Sequence, residues 1–183
     1  MSAYFGKQFL TNEMNFDHSY DVEWVKQMYD SLYNGKLFVP NYIENLNLSN
    51  YCLEYTVSEV IFEEPSSVKI IGDYTHSNSG FSNWKALRKI TLPNSVTKLE
   101  SGFNHCQSLS EITLSSALTT LPMMCFYNCK SLPSITIPSS ITSFGYNCFG
   151  GCDNLTTIII NKPQDSITGA PWGAPNATVI WNG

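Results

Sequence analysis

From Leu87 to Ile160 the apolar residues recur in one fixed order. Each unit opens Leu-x-x-Ile-x-(Leu/Ile), at Leu87–Leu92, Leu109–Leu114, Leu132–Ile137 and Leu155–Ile160, with the leading leucines 22, 23 and 23 residues apart. Inside each opening, Ile90/Leu92, Ile112/Leu114, Ile135/Ile137 and Ile158/Ile160 alternate with other side chains, mostly polar. That is the period of a strand with one face buried. A second apolar row follows at Val96/Leu99, Leu118/Leu121 and Ile141/Phe144. Then come Phe103, Phe126 and Phe149, each three residues before Cys106, Cys129 and Cys152. Pro93 and Pro138 end their strands, as a residue without an N–H does. A unit this short cannot bury its apolar side alone, so the pattern predicts a solenoid whose coils stack around one interior. It also predicts that the three phenylalanines form a column.

Outside this stretch the pattern loosens. Val57-x-x-Val60-x-Phe62 imitates the opening, Val68 and Ile71 keep the spacing of Val96 and Leu99, and Phe81 and Trp84 take the Phe and Cys positions. The segment between Ile71 and Phe81 is longer than its counterparts. Insertions in solenoids emerge as loops on one face, often the working face, which makes Asp73, Tyr74 and His76 candidate ligand contacts. A tolerated loop without a role fits equally well. Upstream, Ser19 is a plausible cap for a helix over 21–33, with Val22, Val25, Tyr29 and Leu32 on one side and Asn34-Gly35 as its stop. It reads as a lid over the solenoid end, with a partner groove as the alternative. Lys36–Val39 is a short strand candidate closed by Pro40. After Ile160, Gly and Pro surround Trp172 and a short alternating strand ends at Trp181, which together suit a second lid. The expected division is an arm and helical cap at 1–56, a solenoid at 57–160 and a C-terminal cap at 161–183. Its rungs would be 57–86, 87–108, 109–131 and 132–154 with a partial one at 155–160, about four in all.

The 183 residues suit one domain, and 43% apolar content is enough to form a core. A net charge of −5 without a Lys/Arg cluster excludes a nucleic-acid footprint. No apolar run reaches the ~18–20 residues that cross a bilayer, so membrane insertion is not expected. Residues 1–20 lack the basic start and apolar block of a secretory signal; export is expected by another route or with a leader outside this sequence.

The cysteines are the one constellation that suggests metal. Cys125-x-x-x-Cys129 and Cys148-x-x-x-Cys152 superficially resemble a zinc set. Repeat position accounts for them better, since Cys106, Cys129 and Cys152 share one place, and Cys125 and Cys148 share another with Gly102. Packed thiols are expected, with inter-rung disulfides and zinc as the alternatives, and no metal or cofactor is assigned. The three histidines, His18, His76 and His105, share no motif with a nucleophile or acid, and no catalytic signature is present. No enzyme is expected. Outward from the strands stand Lys89/Thr91, Glu111/Thr113, Ser134/Thr136 and Thr157/Ile159. Lys89, Thr91, Glu111, Thr113, Ser134 and Thr136 are therefore the candidate ligand face, although threonine also suits an exposed strand on conformational grounds alone.

Leu132–Cys152, LPSITIPSSITSFGYNCFGGC, resembles the BspA-type leucine-rich repeats of bacterial surface proteins. Their pattern runs Leu-x-x-Ile-x-Ile-Pro, then Val/Ile-x-x-Ile, then Ala-Phe-x-x-Cys. Leu109–Cys129 is nearly as close, with Ser115 where proline is usual; Cys125 and Cys148 stand where alanine is usual. The tail at Ile167–Trp181 looks like the C-terminal segment of repeat proteins from gut-type bacteria and their prophages. The resemblance covers residues 57–183. It implies a β-rich (α+β) leucine-rich-repeat solenoid and a non-enzymatic module for adhesion, binding a protein or glycan at an extracellular cell surface. The alternative it implies is a structural component of a phage particle or surface assembly.

Overall fold

The structure, a computed structural model, describes residues 35–46, 56–72, 80–100 and 102–183. Each turn of the chain lays down a strand on a front row and, a few residues later, a shorter one on a second row. The front row is β1 (Lys36–Val39), β3 (Glu59–Phe62), β5 (Lys89–Thr91), β7 (Glu111–Thr113), β9 (Ser134–Ile137), β11 (Thr157–Ile160) and β12 (Thr178–Trp181). The second row is β2 (Asn45–Leu46), β4 (Ile70–Ile71), β6 (Lys98–Leu99), β8 (Thr120–Leu121) and β10 (Ser143–Phe144). Every pairing is parallel and joins equivalent residues of successive turns, such as Ile90 with Ile112 and Ile135 with Ile158. The hydrogen-bonded order on the front is β1-β3-β5-β7 and then, separately, β9-β11-β12. The second row divides into β2-β4-β6 and β8-β10. The result is a parallel-strand solenoid of about six turns, and no helix occurs among the described residues.

The interior follows from the alternation. Ile90, Leu92, Ile135, Ile137, Ile158 and Ile160 are buried, as are Val96, Leu99, Leu118, Leu121 and Ile141 behind them. On the third side the rings of Phe81, Phe103, Phe126 and Phe149 stack in a column, with successive centroids 5.4, 5.4 and 5.5 Å apart and planes within 13°. Such pairs add about 0.5–1.5 kcal/mol each beyond the area they bury. Beside the column runs a thiol ladder. Cys106 Sγ donates to the Phe81 carbonyl at 2.9 Å, Cys129 to Phe103 at 3.1 Å and Cys152 to Phe126 at 2.9 Å. Each cysteine thus satisfies a buried acceptor of the preceding turn, which is why cysteine follows phenylalanine by three residues in every regular repeat.

The bend between phenylalanine and cysteine requires left-handed backbone at Asn83 (φ 66°), His105 (61°), Asn128 (59°) and Gly151 (69°). Asparagine and glycine tolerate this conformation best. It aims their amides at the next turn: Asn83 N–H donates to the Asn104 carbonyl at 2.7 Å, His105 to Tyr127 at 2.7 Å and Asn128 to Gly150 at 2.8 Å. At the neighbouring corner the turns nearly touch. A Cβ on Gly102 would lie 2.5 Å from Cys125 Sγ and 2.8 Å from its Cα.

Two expectations change. The solenoid has about six turns, not about four. β1 is a full front strand, paired with β3 from Lys36–Glu59 to Val39–Phe62, and β2 joins β4 with Leu46 fully buried. Leu37 and Val39 supply the inward alternation without a Leu-x-x lead, so the extra turn lacks the motif while keeping its physics. At the other end, Ile167, Trp172 and Ala174 extend the core beyond β11, and β12 adds a further strand beside it. Trp172 stacks on Phe144 at 4.1 Å and donates through Nε1 to the Thr168 carbonyl at 2.7 Å. The helical cap expected at 21–33 lies outside the described residues.

Candidate functional site

The front row carries two outward columns of residues, set by strand register within β1-β3-β5-β7 and within β9-β11-β12 and continued from one to the other by repeat position. One reads Lys36, Glu59, Lys89, Glu111, Ser134, Thr157, Thr178. The other reads Phe38, Ile61, Thr91, Thr113, Thr136, Ile159, Ile180. Parallel strands are about 4.8 Å apart, so neighbours in a column are within side-chain contact.

The first column is a ladder of alternating charge. Lys36 Nζ lies 3.0 Å from Glu59 Oε2, and Lys89 Nζ lies 2.8 Å from Glu111 Oε1. The Glu111 hydrogen bond, followed by its charge and that of Glu59, holds the Lys89 ammonium above its ordinary range. The Lys89–Glu111 pair is exposed, and a pair of this kind adds little to stability. Lys89 and Glu111, both candidate ligand contacts, are therefore already paired with each other. Beyond Glu111 no charged side chain points outward from β9, β11 or β12. The described residues hold eight Lys/Arg and eight Asp/Glu, so the −5 of the chain is carried by the rest of it.

The second column is where uncommitted side chains lie. Thr91, Thr113 and Thr136 are exposed in its middle, with Ser134 beside them. Apolar residues flank them: Phe38 is 45% exposed at one end and Ile180 42% at the other, with Ile61 and Ile159 half-buried between. Sequence reading placed the threonines but missed Phe38 and Ile180. Each alternates with buried or half-buried neighbours, Leu37/Val39 and Val179/Trp181, and that alternation was the available signal. Asp73, Tyr74 and His76 lie outside the described residues.

The described cysteines, Cys106, Cys125, Cys129, Cys148 and Cys152, are free and buried. Burial pushes the thiols of Cys106, Cys125 and Cys129 well up, and that of Cys152 up to about 12. Such thiols do not act as nucleophiles near neutral pH. Among the described residues, no group of three His, Cys, Asp or Glu side chains could hold a metal ion. His105 is engaged within the bend, its Nδ1 3.1 Å from Asn128 Nδ2 and its ring edge-on to Tyr127. No described helix is long and apolar enough to cross a membrane.

Parallel turns with leucine, isoleucine, phenylalanine and cysteine at fixed inward places define a leucine-rich-repeat solenoid. The model of the BspA type leucine rich repeat region matches residues 46–170 in six copies, and the chain belongs to that family. Among solved structures, it is similar to a leucine rich cell surface protein of Faecalibacterium prausnitzii, with 28% identity and a TM-score of 0.55 over 69% of this chain. The match spans 32% of that protein. It is also similar to the leucine rich repeat protein of Treponema pallidum, at 18% identity and a TM-score of 0.50, over 80% of this chain and 57% of the other. The latter likeness is one of fold. Among curated proteins none matches.

Proposed function

We propose that this chain is a non-enzymatic recognition module that binds a protein or glycan at a bacterial cell surface, using the front sheet as its binding face. The observation that carries this reading is the row Thr91, Thr113 and Thr136, exposed on successive front strands, the first two on one ladder and the third on the next, with the exposed Phe38 and Ile180 at its ends. Hydroxyls supply donors and acceptors at strand spacing, and the flanking apolar groups supply area. The two ladders hold both in place before any partner arrives, which lowers the ordering cost of binding. The segment holding Asp73, Tyr74 and His76 is a second contact region in this reading. The likeness to a protein described as a cell surface protein supports the location.

The test is a panel of extracellular-matrix proteins and arrayed glycans probed with the purified chain, followed by two variants. Thr113→Arg places a bulky charge in the middle of the column and should weaken a captured partner tenfold or more at an unchanged melting temperature. Lys89→Glu sets a third acid between Glu59 and Glu111 and should slow association, most visibly at low salt. A partner that binds both variants as it binds the wild type places recognition on another face.

A further inference from the structure

The geometry points to Cys125 and Cys148 as a built site for one cross-turn disulfide, formed by exchange with a small-molecule disulfide while the chain folds. Of the five described thiols, three are already committed: Cys106, Cys129 and Cys152 each donate to a phenylalanine carbonyl one turn back. The other two, Cys125 and Cys148, are buried at the neighbouring corner. They hold the same place in successive turns, and backbone bonds on both sides of the pair fix their separation. Met124 N–H donates to the Tyr146 carbonyl at 3.0 Å and Phe126 N–H to the Cys148 carbonyl at 2.8 Å. Residues so bracketed lie about one strand spacing apart, inside the ~4.4–6.8 Å between Cα atoms that a disulfide accepts.

The position of the pair suggests what the bond would do. The front ladder is interrupted between β7 and β9, the turns to which Cys125 and Cys148 respectively belong. There the two halves of the front sheet are joined by β8–β10, the phenylalanine column and the loop bonds, without a front-strand ladder. A covalent link at this corner staples the solenoid where its front hydrogen bonding lapses. The described thiols are in the reduced state. The step is two-electron exchange: the Cys125 thiolate attacks an external disulfide and expels one thiolate. The Cys148 thiolate then attacks the mixed disulfide at the Cys125 sulfur and expels the second. The two thiols are oxidised, the external disulfide is reduced to two thiols, and two protons pass to the leaving thiolates. Both cysteines are sealed from solvent in the folded chain, so the exchange belongs to folding, in a compartment where disulfides persist.

The experiment refolds the reduced 183-residue chain in buffers of rising oxidised-to-reduced glutathione ratio, then alkylates under denaturing conditions and maps the peptides. The expected product has lost two hydrogens, links Cys125 to Cys148, and leaves the other four cysteines, Cys52, Cys106, Cys129 and Cys152, to be alkylated. Its melting temperature should exceed that of the reduced chain by about 5 °C or more, a gain removed by reductant. The already folded, reduced chain should oxidise at least a hundredfold more slowly. Cys148→Ala should abolish the cross-link and Cys152→Ala should leave it. The inference is overturned if every thiol still alkylates after oxidative refolding, if another pair is joined, or if the cross-linked chain fails to refold.

Discussion

Phe126 is in contact with a ring above and a ring below, and nothing in the core can replace both contacts. Phe126→Ala should cost about 3–5 kcal/mol by denaturant unfolding, and the smaller truncation Phe126→Leu distinctly less. The buried thiols give a second prediction at this scale. Because burial raises the folded pKa of Cys106, Cys125, Cys129 and Cys152, their contribution is fully present below the unfolded value, near 9. It is lost as pH climbs from there toward the folded values. Urea midpoints should hold from pH 7 to about 8.5 and then fall steeply, with a limit of ~1.4 kcal/mol per pH unit for each thiol. The phenylalanine and cysteine columns could be read from spacing because both residue types are uncommon and recur 22 or 23 residues apart. The left-handed bend was not read, since Asn83, His105, Asn128 and Gly151 share a backbone angle and not a side chain.

At the level of strands, alternation was sufficient wherever a front strand carried two inward residues, as at Ile135/Ile137 and Ile158/Ile160. The two-residue strands of the second row are too short to show a period; Leu46 and Ile71 declare themselves only by distance from the front strand before them. Ser115 shows how a departure from the repeat is accommodated. In place of the usual proline, its hydroxyl donates to the Val96 carbonyl at 2.6 Å and accepts from the Ala117 amide at 3.1 Å. The side chain closes the turn that a fixed proline ring would have preset. Ser115→Ala should therefore destabilise by about 1–3 kcal/mol, because the hydroxyl is fully buried and its partners lose a bond. Equilibrium unfolding measures this directly.

Over the whole molecule, the described turns are electrically balanced, and their ion pairs join near neighbours at the surface. Stability should therefore change by less than ~1 kcal/mol between 0.05 and 1 M NaCl, as denaturation in urea at each salt would show. The threonine column was readable before any coordinates because it depends only on which residues alternate outward. The Lys36–Glu59–Lys89–Glu111 ladder and the apolar ends of the face were not, because both require β1 and β12 to be recognised as turns of the same coil.

A regular turn of this coil uses 23 residues and rests only on the turns before and after it. Pulled from its two termini, such a body has no reason to yield all at once. It should surrender one loop at a time, each release lengthening the tether by about 80 Å of extended chain less the thickness of a single layer. A force-extension trace would then show evenly spaced teeth, a mechanical ruler whose pitch was written in the distance from one leucine to the next.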